Sequence, residues 1–191
     1  MAKLFGNLHL VLVAGLVFAI VVIAAFAGSV PVTSGAVLRW LHVFFGILWI
    51  GLLYYLNFVQ VPTMPKIPAE MKGAITGHIA PKVFFFFRWA ALLTVVTGLG
   101  IARASGYAHE AMTLAGEGAV KLIGLGMWLA LIMAFNVWFI IWPAQKKILG
   151  IVEATAEEKA AAAPRALIAS RTNLLLSLPM LYCMVSANLG A

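Results

Sequence analysis

Residues 120–142 read VKLIGLGMWLALIMAFNVWFIIW, and this stretch decides the fold. Its one charged side chain, Lys121, lies near the start, and the only other strongly polar side chain is Asn136. About 20 helical residues cross the hydrocarbon core of a bilayer. A helix also satisfies its own backbone hydrogen bonds where no water is available. The stretch therefore predicts a transmembrane helix.

Four further apolar runs have a similar length and cover about 8–27, 38–59, 83–102 and 174–189. The whole chain is 64% apolar and 10% charged, whereas a soluble domain is roughly half apolar and a quarter charged. We therefore predict an all-α membrane protein, a bundle of about five transmembrane helices that forms a single transmembrane domain over residues 1–191 in the lipid bilayer. Residues 153–165 are predicted to form a short cytoplasmic helix that leads into the last span.

The charge pattern excludes a nucleic-acid partner and predicts an orientation. The net charge is +7, but the basic residues lie in short segments between the apolar runs. With five spans, Arg39, Arg103 and Lys121 fall on one side and the other Lys and Arg residues fall on the opposite side. Because basic loops stay in the cytoplasm, we expect a multi-pass protein of a bacterial-type inner (plasma) membrane with a cytoplasmic N-terminus.

The second run carries the candidate site. Arg39, His42, Gly46 and Trp49 recur at three- and four-residue spacing and so share one helix face. His42 is the candidate metal ligand, since a neutral imidazole can ligate a haem iron. Gly46 would leave room for a flat macrocycle, and Arg39 could pair with a haem propionate. The alternative is an interfacial arginine and a histidine that is hydrogen-bonded to a neighbouring helix.

A second ligand is less clearly indicated. His109 lies in the loop on the same side as His42, so a bis-histidine site would pair these two, although a loop histidine can equally be solvated. The fifth run carries a stripe that could line a pocket, and in it Met180 or Met184 could supply a soft axial ligand or simply fill gaps. The stripe consists of Asn173, Ser177, Met180, Met184 and Asn188.

Other features indicate packing. Small residues on the third and fourth runs allow close helix approach, within the chain or against a partner; they are Ala90, Thr94, Thr97, Gly98, Gly124, Gly126, Ala130 and Ala134. Asn136 is expected to make an interhelical hydrogen bond, and Cys183 is expected to be a small buried hydrophobe. The run Phe84–Phe87 is typical of an aromatic anchor at the membrane interface.

Three sequence blocks resemble the membrane domain of the membrane-bound urate oxidases (urate hydroxylases). They are Arg39–Trp40–Leu41–His42 with Gly46 and Trp49–Ile50–Gly51, Asn136–Val137–Trp138–Phe139 with Pro143–Ala144–Gln145–Lys146–Lys147, and Arg171–Thr172–Asn173 with Leu178–Pro179 and Ser186. The resemblance implies a multi-helix membrane part that passes electrons to a c-type cytochrome domain. This chain diverges from the family: it has no Cys-x-x-Cys-His motif, and Thr172 and Ala187–Asn188 stand where the resemblance implies histidines.

The residues and the resemblance leave two hypotheses open. The first is a b-type haem-binding protein for electron transfer, an oxidoreductase component related to the urate oxidase membrane domain and served by a separate cytochrome. The tryptophan and glycine after His42 also resemble those of other small membrane proteins that bind b-type haem. The second is a non-catalytic accessory subunit that packs with other membrane subunits. Whether the chain is an enzyme remains open from the sequence.

Overall fold

The computed structural model describes residues 2–29 and 32–189, and every regular element in these ranges is helical. Five helices are long and apolar enough to cross a membrane, which confirms the predicted fold class. A single turn, Ala2–Phe5, precedes them. The helices are α1 (Leu8–Phe26), α2 (Ser34–Lys66), α3 (Ala69–Ala104), the short α4 (Ala108–Thr113), α5 (Gly118–Ile148) and α6 (Ala156–Leu189).

The chain divides into two compact units, Met1–Val37 and Leu38–Ala191. The first unit contains α1, whose N-terminus is capped by Asn7. The Asn7 side-chain oxygen accepts hydrogen bonds from the backbone N–H groups of His9 at 3.0 Å and Leu10 at 3.2 Å, as is typical of an N-cap residue. The second unit contains the helices that build the candidate site.

The helices of the second unit are longer than the sequence predicts. Apart from the six-residue α4, they contain between 31 and 36 residues, or about 46–54 Å at 1.5 Å per residue, against a hydrocarbon core about 30 Å thick. The helix expected at 153–165 begins at Ala156 and is continuous with the last span, because α6 runs unbroken from Ala156 through Pro164 and Pro179 to Leu189. The long helices must therefore tilt or extend beyond the hydrocarbon core.

Three prolines lie within the long helices, each just after a wider turn. The three π-helical segments are Tyr55–Gln60, Ile75–Ile79 and Asn136–Ile141. Each segment ends two residues before a proline, at Pro62, Pro81 and Pro143 respectively. A proline lacks the N–H group and its ring clashes with the carbonyl group four residues earlier. The wider turn shifts the hydrogen-bond pattern at that point, so the helix continues.

The core of the second unit lies where α2, α3, α5 and α6 meet. Its fully buried side chains include Trp49, Leu53, Phe87 and Met133. A smaller cluster joins α4 to the start of α5, where Ala111 packs so tightly that a Cβ atom at Gly124 would overlap its carbonyl oxygen. The Trp128 indole N–H also donates to the Met112 carbonyl oxygen at 2.9 Å. Together these contacts fix α4 against α5.

The predicted packing residues lie inside the chain. Ala90, Thr94, Gly126 and Ala130 are buried, so these small-residue faces are not available to a partner, contrary to the expectation that a partner could pack there. Cys183 is buried, as expected, and its Cβ atom lies 2.8 Å from where a Cβ atom at Gly126 would be.

The aromatic run only partly fits the predicted interfacial anchor. Phe84 and Phe87 are buried in the core, whereas Phe85 and Phe86 are exposed. The reason is helical geometry, since residues three apart share a face and the two between them point elsewhere. Half of the run therefore packs inside the protein and half faces outward.

The connection between α5 and α6 ends in a capping box. The Thr155 hydroxyl accepts from the Glu158 N–H at 3.2 Å, and the Glu158 carboxylate accepts from the Thr155 N–H at 3.0 Å. This reciprocal pair satisfies two backbone donors that a helix N-terminus otherwise leaves free. Glu158 also pairs with Lys147 at 2.8 Å, which ties the start of α6 to the end of α5.

Candidate functional site

A cavity of about 550 Å³ lies between α2, α3, α5 and α6, near the end where α4 connects α3 to α5. Its volume is within the range of sites for small molecules and cofactors. Most of its lining is apolar, and its few polar side chains are Arg39, His42, Trp49, Thr94 and Tyr107. A compartment of about 40 Å³ adjoins it and shares His42 and Trp49.

His42 is held in one orientation by α3. Its Nδ1 atom lies 2.9 Å from the Thr94 carbonyl oxygen and 3.3 Å from the Thr97 hydroxyl. A carbonyl oxygen can only accept, so Nδ1 carries the hydrogen and donates it. The lone pair of the neutral ring is then on Nε2. A metal-ligating histidine typically donates its other ring N–H to a carbonyl or carboxylate in this way.

The threonines around His42 direct their own hydroxyl hydrogens into α3. Thr94 donates to the Ala90 carbonyl oxygen at 2.7 Å, and Thr97 donates to the Leu93 carbonyl oxygen at 2.6 Å. The Thr97 hydroxyl can therefore meet the His42 N–H only as an acceptor. This arrangement reinforces the assignment of the hydrogen to Nδ1.

Trp49 places an unpaired donor beside the cavity. Its side chain is 0% exposed, and its indole N–H has no hydrogen-bond partner among residues 2–29 and 32–189. A buried donor without a partner costs about 1–3 kcal/mol, so such groups call for an explanation. A bound group that accepts a hydrogen bond in the cavity would provide one.

Arg39 and Tyr107 lie at the α4 end of the cavity. Burial raises the pKa of the Tyr107 hydroxyl, and the positive charge of Arg39 opposes that rise. The phenol therefore stays protonated at neutral pH and can donate a hydrogen bond. The guanidinium can form a charge-assisted pair with a carboxylate that enters at this end.

The structure brings most of the predicted site residues together. Arg39, His42, Gly46 and Trp49 all line the larger cavity. His109 is on α4 and exposed, and it is not among the residues that line either compartment. Its near neighbour Tyr107 lines the cavity instead.

Several lining residues were not predicted as site residues. Thr94 and Gly98 were interpreted only as small packing residues, and Met127 and Tyr107 were not singled out. The i, i+4 spacing of Thr94 and Gly98 placed them on one face but did not show that this face meets His42. Nothing in the sequence distinguishes Met127 from the apolar residues around it.

The described part of the chain contains no cluster of His, Cys, Asp or Glu side chains that could bind a metal ion by itself. No three His, Cys, Asp or Glu side chains come together there. A metal at His42 would therefore need a cofactor, or sulfur ligands from methionine, to complete its coordination.

A second polar cluster lies deeper between the helices and contains no ionisable side chain. Asn136 donates to the Asn173 side-chain oxygen at 2.9 Å, and Asn173 donates to the Met133 carbonyl oxygen at 3.0 Å. Asn57 donates to the Ser170 hydroxyl at 2.9 Å. The expected interhelical hydrogen bond of Asn136 is thus confirmed, and the cluster joins α6 to both α2 and α5.

Fold and cavity together define an all-α, multi-pass membrane protein with a histidine held beside an apolar cavity between its helices. A model of the urate oxidase N-terminal family matches residues 90–191, just over half of the 191-residue chain. The chain belongs to this family, in agreement with the resemblance noted in the sequence. Two of the three blocks that carried that resemblance lie inside the matched segment, and the block around His42 precedes it. No curated protein and no solved structure matches the chain.

Proposed function

We propose that this membrane domain binds a b-type haem in the cavity and transfers electrons, with His42 as an axial ligand. The observation that carries the proposal is the Nδ1–Thr94 hydrogen bond of 2.9 Å, which leaves the Nε2 lone pair of a cavity-lining histidine to a ligand. When bound, the haem would accept and release single electrons at its iron.

The other lining residues suit such a group. Gly46 adds no side chain to the cavity wall, and Arg39 would pair with a propionate at the α4 end. The buried Trp49 N–H would gain an acceptor. The apolar remainder of the lining would bury the ring. Urate fits this lining less well, because each of its carbonyl and ring N–H groups would need a polar partner in the cavity.

The purified protein should give a pyridine haemochrome spectrum of haem b. His42→Ala should abolish or strongly reduce haem binding without unfolding the helices, as judged by circular dichroism and by elution from a sizing column. The matched control is His109→Ala, which removes a histidine outside the cavity and should retain the haem. A wild-type protein prepared from haem-supplied cells with no haem bound would refute the proposal and leave the accessory-subunit hypothesis.

We also propose a cytoplasmic N-terminus in a bacterial-type inner membrane. In a five-span arrangement α6 then ends on the outer side, and the cavity lies near that side. Electron exchange with a separate cytochrome outside the cytoplasm would be short-range from this position. Two reporters can be fused after Ala191, one that works only outside the cytoplasm and one that works only inside it. The first should be active, and activity of the second would contradict the orientation.

A further inference from the structure

Three methionine thioethers line the same cavity as His42. Met127, Met180 and Met184 belong to the lining of both the larger cavity and the adjoining compartment. They come from α5 and α6, whereas His42 comes from α2. We propose that Met180 supplies the second axial ligand, so that the site is a histidine–methionine site. This inference rests on the proposed haem function.

The other side chains in the cavity lining that carry lone pairs are less suited than methionine to ligate the iron. The Tyr107 phenol is kept protonated by burial, and a phenol ligates iron as the phenolate. The Thr94 hydroxyl already donates to the Ala90 carbonyl oxygen and its carbonyl accepts from His42. Thioether sulfur needs no deprotonation and is a soft ligand of haem iron. Methionine is therefore the ligand type that the lining offers.

The three methionines differ in their packing. Met180 is 5% exposed and lies in the same core cluster as Trp49, Ala90 and Ala130. Ala90 is one helical turn before Thr94, the residue that holds His42. Met180 also lines the small compartment together with His42 and Trp49, which places it near the histidine.

Met184 and Met127 also line the cavity, but each makes a further packing contact. The Met184 terminal methyl lies 3.4 Å from where a Cβ atom at Gly126 would be, so its side-chain end fills the space left by that glycine. Met127 belongs to the separate cluster with Ala102 and Ala111 at the α4 end. These two side chains therefore take part in helix packing, and they are the alternative ligands against which Met180 is tested.

The experiment compares Met180→Leu with Met184→Leu and Met127→Leu in the full-length, haem-loaded protein. All three changes nearly conserve volume, so they should be tolerated in the core. The wild type should be six-coordinate and low-spin, with the weak red absorption band that sulfur ligation gives ferric haem. Met180→Leu should lose that band, and its reduction potential should fall because a methionine ligand raises it.

Carbon monoxide provides a second readout. In the ferrous wild type it must displace the internal ligand, so Met180→Leu should bind it roughly tenfold more tightly or better. Met184→Leu and Met127→Leu should keep the internal ligand and so bind it less tightly than Met180→Leu does. Met133→Leu, at a buried methionine that lines neither compartment, is the matched control and should bind it as the wild type does. If Met180→Leu does not fold, Met180→His provides the test: it should restore a six-coordinate, low-spin site without the sulfur band.

The outcomes separate the two proposals. A wild type without haem b refutes the proposed function and this inference with it. A wild type that holds haem b, with Met180→Leu unchanged in its red band and in carbon monoxide affinity, refutes the Met180 assignment alone. Loss of the band in Met184→Leu or Met127→Leu, but not in Met180→Leu, also refutes it.

Discussion

The His42 imidazole lies directly against the backbone of Gly98. A Cβ atom built at residue 98 would be 2.9 Å from the histidine Cε1 atom and 3.2 Å from Nδ1. Real Cβ atoms do not approach ring atoms that closely, so only glycine allows the ring to occupy this position. The glycine and the Thr94 carbonyl group, on the same helix, thus position the histidine together.

Gly98→Ala should displace the His42 ring and weaken its hydrogen bond to Thr94. Overpacking of this kind typically costs about 1–3 kcal/mol, which should appear as a lower melting temperature in detergent. Gly46→Ala is the control, because a Cβ atom there would meet its nearest neighbour, the Thr94 methyl, at an ordinary 3.9 Å. Equal melting temperatures for Gly98→Ala and the wild type would contradict the tight contact.

The Asn136–Asn173 pair should show measurable coupling. A double-mutant cycle with alanine at both positions is expected to give about 0.6 kcal/mol, up to about 1.7 kcal/mol, as for other hydrogen bonds between membrane helices. Reversible unfolding in mixed detergent would provide the free energies. Asn57→Ala is the control partner, since its hydrogen bond goes to Ser170 and its effect should add to that of Asn136→Ala. Coupling no larger than in the control cycle would show that the pair contributes nothing specific.

Loss of the capping box should loosen the connection between α5 and α6. Thr155→Ala removes the hydroxyl that caps α6, at a cost of about 1 kcal/mol. Limited proteolysis should then cut near residues 149–155 faster than in the wild type. Lys147→Ala removes only the exposed ion pair with Glu158, which should contribute little. If both variants are cleaved at the wild-type rate, the capping box does not hold this end of α6.

Stability should fall at high pH because of Tyr107. Burial raises the pKa of its hydroxyl in the folded protein above the value of about 10 expected in an unfolded chain. The folded state therefore holds the proton more tightly, and its stability decreases as the pH rises from about 10 to the raised pKa. Tyr107→Phe should remove this part of the pH dependence of the melting temperature. An unchanged dependence would mean that Tyr107 does not ionise on unfolding.

Helical periodicity was enough to predict which residues of α2 share the face that lines the cavity. Because residues three and four apart share a face, Arg39, His42, Gly46 and Trp49 can be grouped from their spacing alone, and all four line the cavity. Which surface that face meets is a matter of tertiary packing. No pattern in the sequence could show that the carbonyl group of Thr94 would hold the histidine.

Helix ends were predicted less well than helix positions. The predicted spans stop at residues 59 and 142, before Pro62 and Pro143, yet both helices continue past these prolines, to Lys66 and Ile148. The rule that proline ends a helix assumes a regular pattern of hydrogen bonds before it. A preceding π turn removes that assumption, and the sequence carries no distinct signal for such a turn.

The amide cluster has a consequence for how the chain enters the membrane during synthesis. Of the five candidate spans, α6 has the lowest mean hydropathy, 1.3 against 1.8 to 2.9 for the others. Asn173 and Ser177, both fully buried, take their partners from α5 and α2. Until α5 is present, the Asn173 amide would meet lipid unpaired, whereas the Ser177 hydroxyl keeps its hydrogen bond to the Leu174 carbonyl oxygen of its own helix. We therefore expect the last span to leave the insertion machinery only after α5 is beside it, so that its integration into the bilayer depends on an earlier helix.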